Sequence, residues 1–172
     1  KAISTIGDFI SEKALVIIET TVPPGTTDKI VYPILSEKLK KRFSELTIPL
    51  IAHSYERVMP GPNYYNSITN FWRVFSGCNE KSADKCRNFL ETIINTKEYE
   101  ITELKKPASS ETAKIMENSF RSLNIAFLDE WSKFAKIIEI DLFEIINAIK
   151  VRPTHQNIME PGLGVGGYCL TK

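Results

Sequence analysis

Residues 14–27 read Ala-Leu-Val-Ile-Ile-Glu-Thr-Thr-Val-Pro-Pro-Gly-Thr-Thr, and the order of their parts decides the fold. Ala14–Ile18 is a short continuous apolar run, the mark of a strand covered on both faces as in a parallel sheet. The run then stops in a turn, where Pro23 and Pro24 restrict φ and Gly25 frees it. Thr26 or Thr27 can cap a helix that continues to about Arg42, kinked at Pro33. Working outward, Ile48–Ala52 and Arg73–Ser76 read as further strands, followed by loop signals at Met59-Pro60-Gly61-Pro62 and at Gly77. Between Ser82 and Thr96, the apolar residues Ala83, Cys86, Phe89, Leu90, Ile93 and Ile94 keep helical spacing, and Tyr99–Leu104 reads as a closing strand. Strands alternating with helices predict an α/β fold with a parallel, layered sheet.

A second region begins near Lys105-Lys106-Pro107, with Ser109 or Ser110 as its helix cap. The expected domains are therefore 1–106 and 107–172. At 100° per residue, Ala113, Met116, Phe120, Leu123, Phe127, Trp131, Phe134 and Ile138 fall on one arc of a long amphipathic helix, and that stripe is expected to be core. Lys114, Asn118 and Arg121 project together on the other side, above Ile125 and Leu128, where something else packs or binds. Asp141 with Glu144 opens a shorter helix that ends near Lys150.

The 172 residues suffice for one ordinary domain or two small ones, and 42% hydrophobic with 25% charged residues is globular usage, against a disordered chain. With 22 basic and 21 acidic residues the net charge is +1. The dense cluster Lys38, Lys40, Lys41, Arg42 ends a helix, where cations favour the carbonyl end of the dipole, so nucleic acid is not an expected partner. No apolar stretch approaches the ~20 residues that span a bilayer, and Lys1–Ile10 lacks a signal-peptide core, so the expectation is a cytoplasmic protein without membrane association. Cys78, Cys86 and Cys169 contain no C-x-x-C pair and, with His53 and His155, form no zinc pattern, so no metal is expected.

Four of the eight glycines fall within Pro161-Gly-Leu-Gly-Val-Gly-Gly-Tyr-Cys169. Glycines bare their amides and admit a ligand close to the backbone, and a thiol ending such a loop is displayed as a nucleophile. A free thiol is only about 3% thiolate at pH 7, so a neighbouring cation is needed, and Lys114 is the candidate. Lys114 and Asn118, four apart on a helix, can reach one oxygen where negative charge develops. Glu56 lies just past a strand end, where α/β sheets place ligands. The alternative for Lys114 is a solvated face with Lys114/Glu117 or Glu117/Arg121 ion pairs.

Together these pieces resemble the nucleotide-sugar 6-dehydrogenases, which include UDP-glucose and UDP-N-acetylmannosamine dehydrogenases. Thr20-Thr21-Val22-Pro23-Pro24-Gly25 is similar to the family's S-T-V-P-P-G. Tyr55-Glu56-Arg57-Val58-Met59-Pro60-Gly61 resembles the P-E-R-V-x-P-G of the N-acetylated sugar branch. Glu111-x-x-Lys114-x-x-x-Asn118-x-x-Arg121 with Asn124-Ile125-Ala126-Phe127 resembles the family helix, and the glycine-cysteine loop its catalytic loop. The family's G-x-G-x-x-G turn and the aspartate four residues after the cysteine have no counterpart in these residues, and Lys150 stands where relatives often have histidine.

The resemblance implies an excised middle: the C-terminal half of a Rossmann-like NAD domain, then an all-α central domain that forms a homodimer through the long helix. It implies oxidation of a UDP-sugar C6 alcohol to the carboxylate with two NAD and no metal. In that chemistry Cys169 captures the aldehyde, Lys114 and Asn118 hold the oxygen, and Glu56 with Thr21 orients the hydrolytic water. Thr21 also faces the cofactor, while Arg57, Arg121 and Arg152, with the backbone of Val58 and Gly164, bind the substrate. The Tyr55–Gly61 motif points to an N-acetylhexosamine but does not identify the sugar. Two other readings remain: a single-step 3-hydroxyacid dehydrogenase, whose families share a Lys-x-x-x-Asn pair, and a non-catalytic dimerisation module.

Overall fold

The computed structural model describes residues 1–167 and Leu170. The chain divides into two compact units, Lys1–Lys114 and Ile115–Lys172. The first is α/β. Its elements are α1 (Ala2–Phe9), β1 (Leu15–Ile18), a π-helical turn (Thr27–Val31) running into α2 (Tyr32–Arg42), β2 (Leu50–His53), α3 (Tyr64–Thr69), β3 (Arg73–Gly77), α4 (Glu80–Glu91) and β4 (Ile101–Glu103). The long helix α5 (Pro107–Ile137) starts in this unit.

The strands lie in the order β1-β2-β3-β4. Side chains alternate across the sheet as the pleat requires. Leu15, Ile17, Ala52 and Phe75 pack with Ala83, Cys86 and Leu90 of α4, whereas Val16, Ile18 and Ile51 pack with Leu35 of α2 and Ile3 and Ile6 of α1. Apolar residues on both faces are what the Ala14–Ile18 run predicts. Helix α1 was not expected from the sequence, although Ile3, Ile6 and Ile10 carry its spacing. Gly7 allows it to lie close on α2, since a Cβ there would come within 2.9 Å of Lys38 Cβ.

The sheet is mixed, not parallel. β1 runs parallel to β2 and β3 parallel to β4, but β2 and β3 are antiparallel, with Ala52 opposite Gly77 and His53 opposite Ser76. The physical reason lies in the connection 54–72, whose only helix is the six-residue α3. A helix that short spans about 9 Å, less than the ~13 Å length of a four-residue strand, so it does not carry the chain back to start a parallel neighbour.

Two expected caps also differ. Thr26 lends no side chain to the helix that follows; its hydroxyl donates back to the Pro23 carbonyl at 2.6 Å. Pro33 sits in the first turn of α2, directly after the π-helical turn. Helix α5 begins at Pro107 itself, a position where a missing N–H costs nothing, and Ser110 donates to the Pro107 carbonyl at 3.0 Å instead of capping.

In the second unit, Leu128 and Ala135 of α5 bury themselves against Leu142 and Ile146 of α6 (Leu142–Lys150), with Ile158 and Met159 alongside. Asp141 caps α6 as its sequence predicts, accepting the Phe143 amide at 2.8 Å. Among the described residues the apolar stripe expected to be core stays exposed: Phe120 is 63% exposed, Leu123 70%, Phe127 53% and Trp131 45%. The nine-residue α6 is short and covers the Leu128/Ala135 side of the helix. Among the described residues no helix is long and apolar enough to cross a membrane.

Candidate active site

The segment after β1 is tied down by a residue far along the chain. Glu111, in the first turns of α5, is fully buried, and its carboxylate accepts the amides of Gly25 at 2.6 Å and Thr27 at 2.8 Å and the Thr27 hydroxyl at 2.6 Å. These are amides a helix start leaves without intrahelical partners, so Glu111 supplies the cap the threonines do not. Gly25, at φ +91°, makes the turn that presents its amide. Thr21, expected to face cofactor and water, is exposed between the end of β1 and this clamped turn.

Beside the clamp, His53 at the end of β2 lies with Nδ1 2.7 Å from the Ser110 hydroxyl, which is 2.7 Å from that of Ser76. Ser110 has one proton and gives it to the Pro107 carbonyl. Burial pushes the His53 pKa below its ordinary value, opposed by the nearby Glu111 charge. The ring is thus a neutral peg joining β2, β3 and α5.

Past β2 the chain turns into Tyr55-Glu56-Arg57-Val58. Lys114 Nζ donates to the Glu56 carbonyl at 3.0 Å, so Lys114, Glu56 and Val58 are brought together within the first unit. The half-buried Glu56 carboxylate accepts the Val58 amide. Arg57 is engaged by its own loop, donating to the Tyr55 hydroxyl at 3.0 Å and to the Trp72 carbonyl. The Lys114 contact is with a backbone carbonyl across 58 residues of sequence, and this fixes an ammonium beside the Glu56 loop.

The remaining expected site residues lie in the second unit. Asn118, half-buried, and Arg121, exposed, follow along α5, and Arg152, exposed, precedes the short 3-10 turn Pro153–His155. Gly164 adopts φ +80° beside the Asp129 carboxylate, 3.7 Å from where a Cβ would sit. Cys169 lies outside the described residues. The other two thiols are unsuited to nucleophilic work: burial pushes both Cys78 and Cys86 up to about 12.

From the sequence, Glu111, His53 and Tyr55 had been assigned no role at the site, and Ser110 only that of a helix cap. The available signal was Glu111 itself, a carboxylate one turn before Lys114 in the helix motif, which burial turns into a structural ligand for the Pro-Pro-Gly turn.

A two-faced α/β layer thus carries a clamped Thr-Val-Pro-Pro-Gly turn and sets a helix-borne lysine against a Glu-Arg-Val loop, and comparison with known families assigns this combination to one class of protein, the nucleotide-sugar dehydrogenase family. Residues 1–96 match the NAD binding domain of the UDP-glucose/GDP-mannose dehydrogenase family and residues 108–172 match its central domain. The chain belongs to this family. It is 40% identical to the UDP-N-acetyl-D-mannosamine dehydrogenase of Methanocaldococcus jannaschii over 99% of its own length and 36% of that protein. It superposes on the UDP-D-ManNAc dehydrogenase of Pyrococcus horikoshii with a TM-score of 0.80 at 34% identity, covering 98% of this chain and 38% of that one. On the native UDP-N-acetyl-mannosamine dehydrogenase of Staphylococcus aureus the TM-score is also 0.80, at 28% identity, covering 99% and 39%. The chain thus spans little more than a third of the length of these relatives.

Proposed function

We propose that this chain is the central part of an enzyme that oxidises the C6 alcohol of a UDP-sugar, an N-acetylhexosamine, to the uronate in two NAD-dependent steps. The observation that carries the reading is the Lys114 ammonium held 3.0 Å from the Glu56 carbonyl, in a chain whose two ends both match the family. Residues 1–106 form the C-terminal half of the NAD-binding domain and 107–172 the central domain. The exposed stripe of α5 supports a homodimer through that helix, and the enzyme works in the cytoplasm without nucleic acid, membrane or metal.

Thr21 fits a cofactor contact, since it is exposed just past the carboxyl end of β1, where α/β sheets bind ligands. NAD, when bound, supplies the hydride acceptor for both oxidations. In the first oxidation C6 loses hydride while a base or bound water takes the hydroxyl proton, and Lys114 with Asn118 stabilises the oxygen. The Cys169 sulfur then adds to the aldehyde carbon, and its proton passes to the carbonyl oxygen, giving a thiohemiacetal. Loss of a second hydride from that carbon, with the hydroxyl proton, gives a thioester. Water oriented by Glu56 and Thr21 adds to the thioester, Lys114 stabilises the tetrahedral oxyanion, and the thiolate leaves with the carboxylate as product. Arg57, Arg121 and Arg152, with the backbone of Val58 and Gly164, hold the diphosphate and sugar oxygens.

The test is to supply the full-length protein with NAD and a panel of UDP-sugars. Two NADH per UDP-N-acetylmannosamine are expected, and Cys169→Ser is expected to stop after one. One NADH per sugar in the unmodified enzyme, or turnover of a 3-hydroxyacid instead, overturns the reading.

A further inference from the structure

Position 55 departs from the motif that surrounds it, for the chain carries Tyr55 where the resembling motif has proline. We propose that Tyr55 is a positioning residue whose ring face, together with the Glu56 carbonyl, holds the Lys114 ammonium in its working place. This rests on the nucleotide-sugar reading for its functional consequence but not for its geometry.

Tyr55 is 1% exposed and gathers three cations. Lys114 Nζ lies 5.5 Å from its ring centroid, and the Arg57 guanidinium carbon lies 5.1 Å from the same centroid. Arg57 also donates to the Tyr55 hydroxyl at 3.0 Å, while Arg73 donates to the Tyr55 carbonyl at 3.0 Å. Arg73 and Arg57 thereby hold the two ends of the residue, its carbonyl and its hydroxyl, which keeps the ring beside Lys114.

A lysine ammonium sits on a flexible four-carbon stem, and one hydrogen bond to the Glu56 carbonyl restrains it at a single point. The electron-rich face of an aromatic ring within about 6 Å adds an attraction that strengthens when the pair is shielded from water. Lys114 is half-buried and Tyr55 fully so. A proline at this position offers no π face, so this mode of holding the lysine belongs to the tyrosine.

A mere space-filling role is separated from this one by changing the ring's charge distribution at nearly constant shape. Tyr55 is replaced by phenylalanine and by mono-, di- and trifluorophenylalanine, and kcat and KM are measured in the full-length enzyme. The expected result is a stepwise fall in kcat with each fluorine, about tenfold at three, with KM for the sugar little changed. In parallel, NMR of the 172-residue chain reads the Lys114 ε-methylene resonance. The ring current is expected to displace it upfield with tyrosine or phenylalanine at 55, and the displacement is expected to vanish in Tyr55→Leu. Equal kcat across the fluorinated series, or a Lys114 resonance indifferent to the ring, overturns the proposal. If instead the nucleotide-sugar reading is wrong, no variant turns over the sugar while the resonance still reports the contact.

Discussion

Glu111 and Gly25 are joined across 86 residues of sequence by a 2.6 Å hydrogen bond from the glycine amide to the buried carboxylate. The same carboxylate takes the Thr27 amide and hydroxyl, so one side chain of α5 holds the turn that follows β1. Lys114 lies one helical turn further on, and any slip of α5 against that turn displaces the lysine from the Glu56 loop.

Removing the clamp strands three buried donors. Glu111→Ala is expected to lower the unfolding free energy by about 3 kcal/mol, and Glu111→Gln by about 1–2 kcal/mol because its NH2 group turns a donor toward a donor that a carboxylate oxygen had accepted. Denaturant titration of the chain measures both, and an unfolding midpoint unchanged by Glu111→Ala shows the clamp to be dispensable.

His53 sets an acid limit on stability. Its folded pKa lies below the ~6.5 of an unfolded histidine, so at lower pH the unfolded chain binds a proton that the native ring refuses. The contribution is complete above about pH 6.5 and declines as the pH falls through the interval between the two values. Melting temperatures between pH 7 and 6 are expected to fall more steeply in the wild type than in His53→Gln.

The thiols are expected to divide sharply by reactivity. Cys78 and Cys86, both pushed up to about 12 by burial, should resist iodoacetamide at pH 7.5 in the native chain and react only after denaturation. Cys169 should alkylate in the native protein. Mass spectrometry after digestion reads all three, and native protection of Cys169 counts against its role as nucleophile.

Charging the exposed face of α5 tests assembly. Trp131 stacks edge-on with Phe127 at 6.1 Å and Phe134 at 5.5 Å on the side of the helix that this chain leaves open. Trp131→Glu is expected to convert a dimer to a monomer by light scattering with helix content retained by circular dichroism, because the side chain contributes nothing to the buried cluster of its own unit. A wild-type monomer excludes the helix-mediated dimer.

What the sequence disclosed follows from which signals are local. The Ala14–Ile18 run, the Asp141 cap and the basic end of α2 are written in neighbouring residues, and all three appear in the structure. The direction of β3 was not legible, because strand polarity depends on where the chain travels between Ser54 and Trp72. The cap on the helix after Gly25 was assigned to the adjacent threonines, whereas its donor set is met by a carboxylate 84 and 86 residues away. The stripe from Met116 to Ile138 has the periodicity of a buried face, and periodicity alone does not say whether the same chain provides the cover. At the site, Lys114 and Glu56 were legible as chemistry, while the tyrosine and histidine that hold their surroundings look in sequence like ordinary strand-end residues.

The reversal between β2 and β3 has a consequence for how this fold tolerates change. The segment between Tyr55 and Arg73 leaves the sheet and re-enters it at the same rim, and the Arg73 guanidinium latches the two ends through the Tyr55 carbonyl at 3.0 Å. Doubling the contour of such an excursion costs only about 0.6 kcal/mol of closure entropy. Insertions grafted near Pro62 are therefore expected to leave strand register and the Lys114 anchorage intact, which makes this stretch the natural port for added sequence.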